Sequence, residues 1–167
     1  MAGEAGIFDV VKQLLRAPKL DEEELMRNAA HVFTGPRGRK IVFLKPEYRR
    51  DSAGSTSMSS GNVFISGEIN GDPKLLHEVV RHEVFHSVMT PRSRALNYVH
   101  SNVLSRSGLY IYVREASAQA YGARSLWQGM KFPFNRGYIT PGWLATELGL
   151  LGMAGLVATG LVQDETH

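Results

Sequence analysis

Apolar residues recur at helical spacing over positions 5–16 and 21–32, and the second run opens with Asp21-Glu22-Glu23-Glu24, carboxylates suited to the positive end of a helix dipole. Both runs read as short helices. "RKIVFLKP", Arg39 to Pro46, has a β-branched and aromatic centre stopped by proline and reads as a strand. "RRDSAGSTSMSSGN", Arg49 to Asn62, is rich in Ser and Gly and reads as a mobile loop. "NVFISGEI", residues 62–69, alternates in part and reads as a second strand. "NGDP" then turns the chain into a helix over 73–89, with Asp72 as N-cap and Pro73 in its first position. Further helices are expected near 94–106 and 113–129, and an apolar one over 142–162. The pattern predicts an α+β fold, a small sheet packed on the 73–89 helix with further helices around it. No internal repeat or second boundary divides residues 1–167, which read as a single domain.

Composition narrows the chemistry. With 167 residues, 43% hydrophobic and 21% charged, the chain can bury a sizeable core. The net charge is +3. Basic residues cluster only at Arg37, Arg39, Lys40, Lys45, Arg49 and Arg50, against Glu47, and no nucleic-acid-binding motif accompanies them. They read as a solvated edge, and no nucleic-acid partner is expected. There is no cysteine, so any metal must be held by histidines and carboxylates. The N-terminal "MAGEAGIFDVVKQLLRAP" lacks the basic and then apolar pattern of a Sec signal peptide, so export would need another carrier.

"LLHEVVRHEVFHSVMT", Leu75 to Thr90, holds three of the six histidines. His82-Glu83-Val84-Phe85-His86 matches H-E-x-x-H, a pattern that aims two imidazoles at one point from successive helical turns with a carboxylate beside them. At about 100° per residue, His82 and His86 lie about 40° apart, Glu83 flanks both, and His77 falls on nearly the opposite face. His77 is therefore not expected to be a ligand. The bland alternative is two core histidines bonded to backbone or carboxylates, but on a helix so apolar, metal binding is the better use of them. A third ligand is offered by Glu115 in "YVREASAQAYGARSLW", where Ala116, Ser117, Ala118, Ala120, Gly122 and Ala123 would let two helices approach closely. His100 competes for that place but lacks a small-residue face. A surface carboxylate paired with Arg114 or Arg124 is the plain alternative for Glu115.

"HEVFH" followed downstream by "EASAQA" resembles the gluzincin branch of zinc metallopeptidases, with the likeness covering about residues 39–127. "NVFISG" is similar to that family's edge strand, along which substrate lies. The small size and the "REASAQAYG" helix look more narrowly like metallopeptidase toxin domains at the C-termini of bacterial polymorphic toxins, Rhs-type effectors included. The resemblance implies a zincin-like domain, a protein or peptide substrate, a cognate immunity protein, and a domain cut from a longer effector delivered into a target cell. Gln119 departs from the family, which often has Asp there to support a zinc-binding His.

On this reading Zn2+ sits on His82, His86 and Glu115, and Glu83 is the general base of peptide hydrolysis. Tyr110, Tyr112, Tyr121 and His100 are the candidate oxyanion donors. Glu78, one turn before His82, either orients that ring or faces solvent. The C-terminal run "WLATELGLLGMAGLVATGLV" carries one charge, Glu147, and glycines at 149, 152 and 155 suited to tight packing. A buried or partner-covered helix is preferred there over membrane insertion. Two alternatives to the peptidase stand: a membrane-active domain working through residues 143–162 with a structural metal, and a catalytically silent binding module.

Overall fold

The structure, a computed structural model, describes residues 20–164, so the helix expected over 5–16 lies outside the described residues. Asp21 accepts a hydrogen bond from the Glu24 N–H at 2.9 Å and opens α1, Glu22–Arg27. The helix was expected to continue to residue 32. Instead Ala29–Thr34 forms β1, an antiparallel partner of β2, Lys40–Leu44, with Val32 opposite Val42. Pairing with β2 overrides a weak helical pattern in a segment containing His31, Val32, Phe33 and Thr34, residues with little helix preference.

Two further strands complete the sheet, β3 at Gly54–Thr56 and β4 at Val63–Ile65, in the order β1-β2-β4-β3. β4 runs parallel to β2 and antiparallel to β3. Val63, Phe64 and Ile65 are fully buried, and Phe64 packs with Val42, Leu44 and Leu25. Burial on both faces is the mark of an interior strand. The expectation that "NVFISG" forms the edge is thereby corrected: the edges are β1 and, beside β4, β3. This strand lies inside the stretch read as a mobile loop, which is ordered. Glu22 accepts hydrogen bonds there from Ser57, Ser59, Ser60 and Asn62.

α2, Pro73–Met89, starts as expected, with the Asp72 carboxylate accepting from the Lys74 and Leu75 N–H groups, each at 3.0 Å. Its far end is held by the basic cluster. Arg37 donates to the Val88 carbonyl at 2.6 Å while staying exposed, as expected of a solvated edge, and Arg39 donates to that of Thr90 and is buried, against that expectation.

α3, Arg94–Asn102, is followed by α4, Gly108–Ala123, and α5, Leu126–Asn135. The helix expected over 113–129 thus begins earlier and breaks where Arg124 turns left-handed, at φ 54°, before Ser125 caps α5. α2 packs between the β3–β4 side of the sheet and α4. α6, Pro141–Asp164, docks on the start of α4.

The docking of α6 differs from the expected packing of glycines. Gly149 and Gly152 face open space. Contact is made through Trp143, whose ring lies where a side chain on Gly108 would be, 2.9 Å from a Cβ built there. Glu147 accepts from the Gly108 and Leu109 N–H groups at 2.7 and 2.8 Å, from Ser107 Oγ at 2.9 Å and from the Trp143 indole at 2.9 Å. The one charge of the apolar run is thus a cap for α4, supplied from another helix. Among the described residues, no helix is long and apolar enough to cross a membrane.

Two predictions follow from this docking. Gly152→Ala should leave thermal stability unchanged or raise it by up to about 1 kcal/mol through helix propensity, while Gly108→Ala, which meets Trp143, should lower the melting temperature. The second concerns pH. The N–H donors of Leu109 and Gly108 hold the Glu147 carboxyl below its ordinary value. A depressed carboxyl stabilises the fold above its unfolded pKa, and that contribution is lost as pH falls through the folded value. Trp143 fluorescence in a Trp127→Phe background should therefore change on acidification below the ordinary carboxylate range, and Glu147→Gln should remove this transition.

Candidate metal centre

The side of α2 turned inward is polar. Its buried residues are His82, Glu83 and Ser87, whereas Leu75 and Met89 are exposed. Buried polar groups need partners, and the neighbouring elements provide them. Gly122 lets α4 run against α2, since a Cβ there would lie 2.8 Å from the Glu78 carbonyl and 3.3 Å from His82 Cβ. Close approach through a small residue is what the "EASAQAYG" stretch predicted. It brings Glu115, 5% exposed, to the two histidines.

His82 and His86 present Nε2 atoms 3.0 Å apart, and Glu115 Oε2 lies 3.5 and 3.3 Å from them. A tetrahedral ion with ligands at about 2.0–2.1 Å has ligand atoms about 3.3–3.4 Å apart, so this triangle fits one. The tautomer fits as well. Gln119 Nε2 donates to Glu78 Oε1, which fixes the amide so that Gln119 Oε1 faces His82 Nδ1 at 3.1 Å. A carbonyl oxygen only accepts, so Nδ1 carries the proton and the Nε2 lone pair of His82 points at Glu115 and His86. Gln119 takes the supporting place that Asp often holds in the resembled family. Glu78 reaches His82 through Gln119 rather than directly.

Glu115 divides its two oxygens. Oε2 faces the histidines and Oε1 accepts from Arg114 Nη2 at 2.6 Å and Nε at 3.1 Å. The pairing with Arg114 exists, but on a buried carboxylate rather than at the surface. Burial alone would raise the Glu115 pKa, and the contacts with the His82 and His86 imidazoles, together with the positive charge of Arg114, hold it below the usual carboxylate range. It is ionised at any physiological pH.

Glu83 lies beside this group, 8% exposed, and accepts a hydrogen bond from Thr56 Oγ1 at 2.7 Å. The edge strand comes this close because β3 begins with glycine: a Cβ on Gly54 would lie 2.8 Å from Glu83 Cγ. Neither Gly54 nor Thr56 was foreseen. Their stretch resembles any Ser/Gly loop, and no sequence signal marked it.

A cleft of about 220 Å³ opens over the group, walled by Gly54, Thr56, Met58, His100, Arg114 and Tyr138. Of the four expected oxyanion donors only His100 lines it. Tyr110 packs against the His100 ring at 5.5 Å, Tyr112 against Phe134 at 5.3 Å, and Tyr121 against Phe85 at 5.9 Å beneath Arg81. Tyr138, from the α5–α6 connection, was missed. Burial, and then the charges of Glu115 and Glu83 with it, raise its pKa, so its hydroxyl remains protonated and able to donate. His100 is outside the ligand triangle, and His77 lines a separate cavity with Lys74 and Arg81.

No family model, curated protein or solved structure matches the chain.

The Glu78–Gln119–His82 relay predicts a graded effect on metal affinity. Gln119→Leu should weaken zinc binding by about 10- to 100-fold. Glu115→Ala should weaken it further, and His77→Ala should leave it unchanged. Competition with a chromophoric chelator measures all three, and equal losses in the His77 and Glu115 variants would refute the assignment of ligands.

Proposed function

We propose that the protein is a zinc-dependent peptidase that hydrolyses peptide bonds at the group formed by His82, His86 and Glu115, with Glu83 as general base. The observation that carries this reading is the convergence of the His82 and His86 Nε2 atoms and a buried carboxylate oxygen beside a second carboxylate that none of them uses. Zinc held there would polarise a peptide carbonyl and lower the pKa of water to about 7. The chain's own residues account for the remaining steps. Thr56 holds Glu83, whose carboxylate takes a proton from the attacking water and delivers it to the leaving amine. Tyr138 supplies a hydroxyl donor for the carbonyl oxygen as charge develops on it.

Substrate would lie along β3. Ala53 accepts from the Ser66 N–H at 2.9 Å and the Ser57 N–H donates to Asn62 at 2.8 Å, so both spend backbone groups on the β4 side. By the alternation of an antiparallel ladder, Gly54 and Thr56 turn theirs away from β4, where an extended peptide can pair with them. Following the narrower resemblance, the peptidase is the toxic effector domain of a bacterial polymorphic toxin, neutralised by a cognate immunity protein. The capping role of Glu147 and the shortness of the apolar run weigh against a membrane-active domain. The placement of Glu83 weighs against a silent module.

Glu83→Gln preserves shape and removes the proton acceptor. The variant should retain about one zinc per chain by elemental analysis, since Glu83 is not one of the three ligands. It should lose about 100-fold or more of the turnover rate on a mixed peptide library. Retained turnover with retained zinc would overturn the reading, as would wild-type protein that takes up no zinc.

A further inference from the structure

His100 is a buried group for which the steps above have no use. It is 6% exposed, it lines the cleft, and neither of its ring nitrogens has a hydrogen-bond partner. Buried polar groups left in this state are few in folded proteins, and one that borders a cleft is suited to a partner arriving from outside. Its surroundings define that partner. Burial first, and then the charges of Arg114 and His86, push its pKa below the ordinary imidazole value, so near neutral pH it is uncharged and can donate one N–H.

Arg114 borders the same cleft. Its Nε and Nη2 are engaged by Glu115 Oε1, which leaves Nη1 uncommitted to that carboxylate. The carboxylates of the cleft already have donors, Thr56 for Glu83 and Arg114 for Glu115. Besides the Tyr138 hydroxyl, what remains unmatched is a guanidinium edge and the two ring nitrogens of His100, one of which carries a hydrogen. A carboxylate accepts from the guanidinium and from that N–H, and a lysine or arginine side chain would meet the charge of Arg114 instead. At about 220 Å³ the cleft is smaller than pockets for drug-sized ligands, roughly 300–1,000 Å³, and suits a single side chain.

We propose that Arg114 and His100 form a subsite for a substrate carboxylate, the side chain of an Asp or Glu next to the bond that is cut. The proposal rests on the peptidase reading for its setting, but the carboxylate contact can be measured without catalysis. The probes are paired hexapeptides with blocked termini, identical except for Glu or Gln at one central position, titrated calorimetrically into zinc-loaded Glu83→Gln protein. For at least one register the Glu peptide should bind about tenfold or more tightly than its Gln partner. His100→Leu should fold at least as stably as the parent, because it removes an unsatisfied group, yet lose much of this discrimination. Arg114→Gln should lose it too, with zinc content measured alongside.

Cleavage-site profiling of the wild type on a peptide library provides the second arm. Acidic residues enriched beside the cut support the subsite. Cleavage without enrichment, together with equal binding of the paired peptides in every register, overturns the subsite and leaves the peptidase intact. Preferential binding of the Glu peptides with no cleavage of any library member supports the subsite and overturns the peptidase. Discrimination that survives in both His100→Leu and Arg114→Gln removes these residues from the proposal.

Discussion

The candidate site depends on how closely two helices can run. His82 and Glu115 come within 3.5 Å of one another only because Gly122 has no side chain to hold α4 away from the Glu78 carbonyl. At that separation Gln119 also falls between Glu78 and His82, and the small Ala118 beside it is completely buried. Ligand contact, ring orientation and helix packing are therefore one constraint. A side chain added at Gly122 would widen the gap for all of them together. On the other flank of α2, Gly54 plays the equivalent part, letting the edge strand reach Glu83.

Polar groups inside a fold demand partners, and here the demand organises the elements. The inward side of α2 carries His82, Glu83 and Ser87, and each is met from a different part of the chain: Gln119 on α4, Thr56 on β3, and the Gly61 carbonyl, which accepts from Ser87 at 2.6 Å. The arginines of the β1–β2 turn then fix the far end of α2. A helix tied at these points to three other parts of the chain has little freedom to slide or rotate. Such rigidity suits a group of ligands that must be held within fractions of an ångström.

The parts of the fold and site legible in the sequence were those set by local period. His82, Glu83 and His86 share a helical face whatever the rest of the chain does, and the small residues around Glu115 announced close packing before any partner was known. Asp72 and Pro73 marked the start of α2 by their own chemistry. Of the strands, β2 and β4 were legible through their β-branched and aromatic centres, whereas β1 and β3 were not. β3 is Gly-Ser-Thr, a strand only because β4 lies beside it, and β1 was read as helix because its partner β2 decides its state. Tyr138 reaches the cleft through a turn between two helices, and no spacing rule connects it to His82. Gly149 and Gly152 show a different limit, since a small-residue pattern permits close packing within the chain without requiring it.

Glu22 draws a remote segment into the working part of the molecule. Its carboxylate sits on α1, yet its hydrogen bonds with Ser57, Ser59, Ser60 and Asn62 hold the turn that carries Met58 to the mouth of the cleft. Burial works against its charge, but those donors prevail and keep it ionised. The same turn is also held from α2, through Ser87 and the Gly61 carbonyl, and from α3, through Asn97 and the Ser59 carbonyl, so three helices share in its shape. Removing the Glu22 carboxylate would cut the bonds that tie the turn to α1 while leaving its ties to α2 and α3 in place. The Met58 wall of the cleft thus belongs to a segment pinned from several directions, and the first helix of the described chain supplies one of those pins.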